Sequence, residues 1–167
     1  MANIGSLLSS TGDLAEAETY YQEALDIAQE TLGREHPDTL TFALNFGALL
    51  KSMGKFDDAN AHFEEVLEVR RRTLGDNHPD TLRAANDMST LLMAQGKYEA
   101  AAPMIQTALD GFRQTYGDLH PDTIAAAANL GGLLDSLGKP EEAEPYIRQA
   151  LAGSRRALGK DNPHTIS

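Results

Sequence analysis

Leu74-Gly75-Asp76-Asn77-His78-Pro79-Asp80-Thr81-Leu82 is written three times in this chain with small changes. Leu32 to Leu40 reads Leu-Gly-Arg-Glu-His-Pro-Asp-Thr-Leu, and Tyr116 to Ile124 reads Tyr-Gly-Asp-Leu-His-Pro-Asp-Thr-Ile, each copy 42 residues from the next. Outward from this stretch the same spacing persists. Leu7/Leu49/Leu91/Leu133, Leu8/Leu50/Leu92/Leu134, Gly12/Gly54/Gly96/Gly138, Ala17/Ala59/Ala101/Ala143 and Leu25/Leu67/Leu109/Leu151 recur without substitution. So do Gly33/Gly75/Gly117/Gly159, Pro37/Pro79/Pro121/Pro163 and Thr39/Thr81/Thr123/Thr165. A fixed period of this length means stacked supersecondary units. Units so small cannot each bury a core, so the expectation is an all-α solenoid that displays an extended surface.

Within the unit that follows Pro37, Leu40, Ala43, Phe46, Gly47 and Leu50 share one helical face. Proline suits the first position of this helix A, and Asp38 complements the positive end of its dipole. Gly54 closes it, since glycine takes a left-handed C-cap without strain. Helix B then runs from about Phe56 to Leu74, with Gly75 as its stop. A two- or three-residue connection makes A and B antiparallel neighbours. Gly47 and Gly131 read as sites where a larger side chain would collide with helix B. Pro103 and Pro145 fall about six residues into helix B and predict a mild kink, or a first turn that is not fully α-helical.

The chain has 14 basic and 25 acidic residues, for a net charge of −11. That balance argues against nucleic acid, which requires a basic footprint, and against an anionic membrane surface. No run approaches the ~18 apolar residues of a transmembrane span, and the first residues lack a secretory signal. The absence of cysteine removes thiolate chemistry and fits a reducing, cytoplasmic setting. His36, His78 and His120 sit one repeat apart, too far to share a metal, and read as caps of helix A. Arg70, Arg71, Arg72, Arg113, Arg155 and Arg156 offset the negative ends of helices B. No nucleophile motif or phosphate-binding glycine loop occurs, so neither enzyme activity nor a cofactor is expected.

The order Asn129-Leu130-Gly131, Leu133-Leu134, Gly138-Lys139, Glu141 to Tyr146, Ala150-Leu151 and Leu158-Gly159 resembles the tetratricopeptide repeat. The 42-residue period and the Leu-Gly-x-x-His-Pro-Asp-Thr linker resemble its kinesin light chain subtype. This resemblance covers the whole chain. It implies a right-handed superhelix of antiparallel helix pairs: a partial first repeat over 1–35, repeats over 36–77, 78–119 and 120–161, and a stub over 162–167. It also implies a non-catalytic adaptor whose helices A line a concave groove for an extended peptide or partner helix. Carried over by position, the second repeat contributes Thr41, Leu44, Asn45, Ala48, Lys51 and Ser52. The third contributes Arg83, Asn86, Asp87, Thr90, Met93 and Ala94. Ala125, Ala128, Asn129, Gly132, Asp135 and Ser136 come from the fourth, and Ala2, Asn3, Ser6, Ser9 and Ser10 from the first.

Asn3, Asn45 and Asn129 align with the groove asparagine of the resembled family, with Asp87 in its place in the third repeat. An amide can donate to a peptide carbonyl and accept from a peptide N–H at once. The competing reading is that these amides bond within the helix layer and set its pitch. The predicted lining is small and nearly neutral, because Lys51 and Arg83 balance Asp87 and Asp135. Both ends are cut inside a helix A, which suggests a piece of a longer array. Exposed apolar residues of the last helix B, Ile147, Ala150 and Leu151, then suggest head-to-tail self-association. The alternative function is a self-association or sensor segment of a larger signalling ATPase-type protein.

Overall fold

The computed structural model describes residues 14–158 and divides into two compact units, Met1–Gly75 and Asp76–Ser167. Among the described residues the chain is entirely helical between short turns. The first unit holds α1 (Leu14–Leu32), α2 (Pro37–Ser52) and α3 (Phe56–Leu74). The second holds α4 (Pro79–Ala94), α5 (Tyr98–Tyr116), α6 (Pro121–Ser136) and α7 (Pro140–Leu158). In chain order α2, α4 and α6 are helices A, and α1, α3, α5 and α7 are helices B. Each helix packs on its neighbour in the chain within its unit, and α4 also touches α6.

The helix boundaries follow from the repeated residues. At the end of α2 the Gly54 N–H donates to the Lys51 carbonyl at 3.0 Å and the Lys55 N–H to the Leu50 carbonyl at 2.9 Å. Those two bonds define a Schellman motif, and Gly54 accepts its φ of +75° because it has no Cβ. Gly96-Lys97 and Gly138-Lys139 repeat both bonds at 2.8–2.9 Å. The lysine that completes the motif is also the first residue of the next helix's bonding: the Lys55 carbonyl accepts from the Ala59 N–H at 3.1 Å. One residue thus ends A and starts B, which forces the tight antiparallel hairpin.

The other connection uses histidine. Nδ1 of His36, His78 and His120 accepts from the backbone N–H of Asp38, Asp80 and Asp122 at 3.2, 3.2 and 3.3 Å. Proline follows at the first helical position, where a missing N–H costs nothing. Before it, Gly75 at φ 87°, ψ 163° and Gly117 at φ 82°, ψ 173° turn the chain through backbone space that only glycine occupies freely.

The core combines invariant columns with positions that vary among apolar residues. Ala17, Ala59, Ala101 and Ala143 are all fully buried, so a methyl group marks the closest helix approach in every repeat. Phe63 in the first unit and Leu91, Ile105, Leu109 and Phe112 in the second are at most 1 % exposed. Each such side chain contributes about 1.5–3 kcal/mol by leaving water. At Gly47 an added Cβ would lie 2.8 Å from the Phe63 ring, and at Gly131 2.7 Å from Ile147 Cγ1, so both glycines are required by close approach. Gly111 against Leu82 and Gly153 against Ile124 are equally tight. Pro103 and Pro145 lie inside continuous α-helix that begins at Tyr98 and Pro140. The expectation of a non-helical first turn is therefore corrected: only one N–H is lost in each helix, and packing holds the turn.

Candidate interaction surface

The groove positions expected on α2 all lie on one stripe of that helix. Thr41, Asn45, Ala48 and Ser52 are exposed, and Leu44 and Lys51 are half-buried. The Thr41 hydroxyl donates to the Pro37 carbonyl at 2.9 Å and the Ser52 hydroxyl to the Leu49 carbonyl at 2.7 Å. These hydroxyls serve the helix itself, which leaves the Asn45 amide as the adaptable polar group of the stripe. Asn3 and Ser6, with Ala2, Ser9 and Ser10, lie outside the described residues.

In the second unit the stripe spans two helices. On α4, Arg83, Asn86, Asp87, Thr90 and Met93 are half-buried and Ala94 is exposed. On α6, Ala125, Ala128, Gly132, Asp135 and Ser136 are exposed and Asn129 is half-buried. A Cβ added at Gly132 would meet nothing within 4 Å, so the α6 stripe is open as well as small.

Two polar links organise this face. Asn129 Nδ2 donates to Asn86 Oδ1 at 3.1 Å, so the two helices A are tied by side-chain amides. The bond uses one donor and one acceptor. The Asn129 Oδ1 and the Asn86 Nδ2 are not used by this bond, and an acceptor and a donor are what a peptide backbone requires. The second link removes a charge that the sequence assigned to the groove. Arg83 reaches Asp80 Oδ1 through Nη1 at 2.7 Å and Asp122 Oδ2 through Nε at 2.8 Å and Nη2 at 2.6 Å. Hydrogen bonding to Asp122, partly opposed by burial, pushes the Arg83 guanidinium further above its usual range. Arg83 therefore bridges the first turns of α4 and α6. Asp80 and Asp122 were missed from sequence because they sit one position before the segments counted as groove.

The basic residues at the ends of helices B are also engaged. Arg72 Nη2 meets Glu35 Oε1 at 2.6 Å, and their hydrogen bond holds the Glu35 carboxyl below and the Arg72 guanidinium above the ordinary range. Arg113 reaches Asp118 at 2.7 Å and Gln149 at 2.9 Å, and Arg70 is buried. Among the described residues no group of three or more His, Asp or Glu side chains could hold a metal ion. Nor is any described helix long and apolar enough to cross a membrane.

The tetratricopeptide repeat family matches the chain three times in overlapping windows, over residues 1–72, 41–110 and 82–156. No curated protein matches it in sequence. Among solved structures, BtubC (BKLC) from P. vanneervenii is similar with a TM-score of 0.78 and 22 % identity over 96 % of this chain. This chain spans 63 % of the length of that protein. The nearly identical TPR-like repeats of a kinesin-light-chain-type protein from Podosopora anserina match at TM-score 0.81 and 21 % identity, covering 98 % of this chain and 77 % of that one. The apo form of RapI matches at TM-score 0.70 and 15 % identity, covering 96 % of this chain and 43 % of that one. At such identities the likeness establishes the shared helical-repeat fold.

Proposed function

Since the chain belongs to the tetratricopeptide repeat family, whose arrays serve as protein-interaction scaffolds, we propose that it is a non-catalytic adaptor that clamps an extended peptide against its exposed helix A stripes. The observation that carries this reading is the Asn129–Asn86 pair, whose hydrogen bond leaves the Asn129 Oδ1 as an acceptor and the Asn86 Nδ2 as a donor on adjacent helices. Asn45 offers the same capacity on α2. Affinity comes from main-chain hydrogen bonds, and preference from what lies between them. Met93 and Leu44 favour a small apolar side chain, and the exposed Asp135 favours a basic one. The repeat boundaries given above, a cytoplasmic setting and the absence of a cofactor belong to the same reading.

Panning a random peptide display library against the parent and against an Asn45→Ala/Asn129→Ala variant tests it. Enriched peptides that bind the parent and lose the variant, with both proteins equally helical, support the clamp. Enrichment indifferent to the variant, or none, overturns it.

Self-association is a second reading, favoured by one comparison. Ile147 on α7 is 46 % exposed, whereas its repeat equivalents Phe63 and Ile105 are 1 % and 0 % exposed. Light scattering that reports a monomer at high concentration excludes it.

A further inference from the structure

The first unit carries a cleft of about 270 Å³ between α1 and α2, lined by Ala24, Ile27, Ala28, Thr31, Leu32 and Phe42. Ile27 is 46 % exposed. It shares a repeat column with Val69, Gly111 and Gly153, and in the later repeats that column is covered. Leu82 closes on Gly111 and Ile124 on Gly153, each from 29 positions earlier, at the start of the helix A of the same repeat. Val69 is half-buried, and Leu40, again 29 positions before it, is buried on the helix that packs against α3. The repeat thus seats a large aliphatic residue of helix A against this column, and a β-branched residue in the column is compatible with that seat. Among the described residues no such side chain covers Ile27.

The sequence holds a further residue of the covering kind. Ile166, which lies outside the described residues, follows Leu40, Leu82 and Ile124 at the 42-residue spacing, within Pro163-His164-Thr165-Ile166. The chain has 167 residues, one short of four periods. A second copy that takes up the register with one position skipped therefore brings its Ile27 to the place 29 positions after the Ile166 of the first.

Charge follows the same register. Glu23 stands one turn before Ile27 on α1 and shares a column with Glu65 and Gln149. Arg34, just past the end of α1, meets Glu65 of α3 at 3.9 Å, and Arg113, in the last turn of α5, reaches Gln149 of α7 at 2.9 Å. Glu23 is exposed and has no cation beside it among the described residues, on a helix with five acidic side chains and no basic one. The repeat equivalents of Arg34 and Arg113 at the other end of the chain are Lys160 and Arg155. Arg155 is exposed near the end of α7 and has no carboxylate partner among the described residues. Carried on from Lys160 and from Arg155, the two spacings both arrive at Glu23 of a second copy. The aliphatic seat and the charge pair select the same partner surface independently.

We propose that this surface docks a second copy of the chain head to tail, Ile166 of one copy filling the cleft at Ile27 of the next and Arg155 of the first meeting Glu23 of the second. The inference rests on the self-association reading given above and supplies the surface that the α7 end would meet. Such a contact is heterologous and does not close, so light scattering of the full chain between about 10 µM and about 1 mM is expected to show a mass that climbs past the dimer. Ile27→Asp and Ile166→Asp each spoil one end, and each is expected to weaken association at least about tenfold, the effect of losing one buried aliphatic side chain. Mixed one to one, the two variants keep one intact head and one intact tail and are expected to stop at a dimer. Should either variant lose its helical spectrum, the exposed charge pair still decides the matter. Glu23→Arg is expected to weaken association about fivefold, and Glu23→Arg/Arg155→Glu to restore it. A parent that stays monomeric throughout overturns the self-association reading and this proposal together. Association of the parent that survives these variants, a mixture that stays monomeric, or a charge reversal that the second change does not rescue overturns the proposal alone.

Discussion

Asn129 of α6 donates to Asn86 of α4 across 3.1 Å, and the two residues are 43 apart, one more than the repeat. The bond therefore joins two different columns of the repeat, offset by one position. Replacing Asn86 by Leu keeps the branched side-chain shape and removes the acceptor of the Asn129 amide. A half-exposed amide bond of this kind contributes about 0.5–1.5 kcal/mol. Urea unfolding of Asn86→Leu is expected to show a loss in that range. Peptides selected on the parent are expected to bind the variant about tenfold more weakly, the effect of losing one well-placed hydrogen bond.

The two helix A glycines make a second prediction because their neighbours differ. Gly47 faces the ring of Phe63, which is 1 % exposed and has nowhere to move. Gly131 faces Ile147 Cγ1 at 2.7 Å and the Ile147 backbone nitrogen at 3.3 Å, and that side chain is 46 % exposed. Alanine gains about 1 kcal/mol of helix propensity at either site. Overpacking at Gly47 costs about 1–3 kcal/mol, which at this fully enclosed site exceeds that gain, so Gly47→Ala is expected to lower the urea midpoint. Gly131→Ala is expected to lower it by less, because the Ile147 side chain it meets is partly exposed and has room to shift.

Histidine is an uncommon N-cap, and here it is used in every described linker. His36→Ala removes the acceptor for the Asp38 N–H and is expected to cost about 1 kcal/mol at neutral pH. His36→Asn supplies another acceptor and is expected to cost a few tenths or nothing. Asparagine already stands before Pro163 in the sequence, at Asn162. Thermal melts of the two variants against the parent measure the difference.

The periodic residues made the helices, their hairpins and their caps legible, because a column that never varies reports a local constraint. Gly47 and Gly131 were readable because their column, with Gly5 and Ser89, holds only small residues on the helix A face that turns toward helix B. Gly111 and Gly153 were not, although they too repeat at the same spacing. Their column contains Val69 in the second repeat, so it reads as variable until Leu82 and Ile124 are seen against it. Contacts that cross repeats were harder still. Arg83 meets Asp122 at a separation of 39 residues and Lys55 meets Glu18 at 37, and no within-repeat pattern encodes either distance. The cleft at Ile27 escaped notice because helical periodicity reports which residues turn inward, and says nothing of which inward face stays uncovered.

The Arg83 bridge predicts a salt-sensitive coupling within the second unit. Its Asp122 partner is about a quarter exposed and the arginine itself 41 %, so solvent screens much of the attraction. A double-mutant cycle of Arg83→Ala and Asp122→Ala is expected to return a coupling of about 0.5–1 kcal/mol at low ionic strength, shrinking in 1 M salt. Lysine at position 83 cannot engage Asp80 and Asp122 at once with a planar fork, so Arg83→Lys is expected to lose most of that coupling.

His62 gives the chain a defined response to acid. Its ring lies 5.0 Å from that of Phe46, and burial pushes its pKa down, against the opposing pull of Glu65 and Asp58. The folded state therefore prefers the neutral ring, and the unfolded chain binds the proton more readily. Stability is complete above the unfolded value of about 6.5 and declines as pH falls below it, until the folded ring is itself protonated. Tyrosine occupies the equivalent positions 20 and 146, so the site accepts a neutral aromatic ring. His62→Tyr is expected to match the parent near pH 8 and to exceed it near pH 5, with a flatter plot of urea midpoint against pH. Parallel curves for the two proteins would mean that His62 is not the group that titrates.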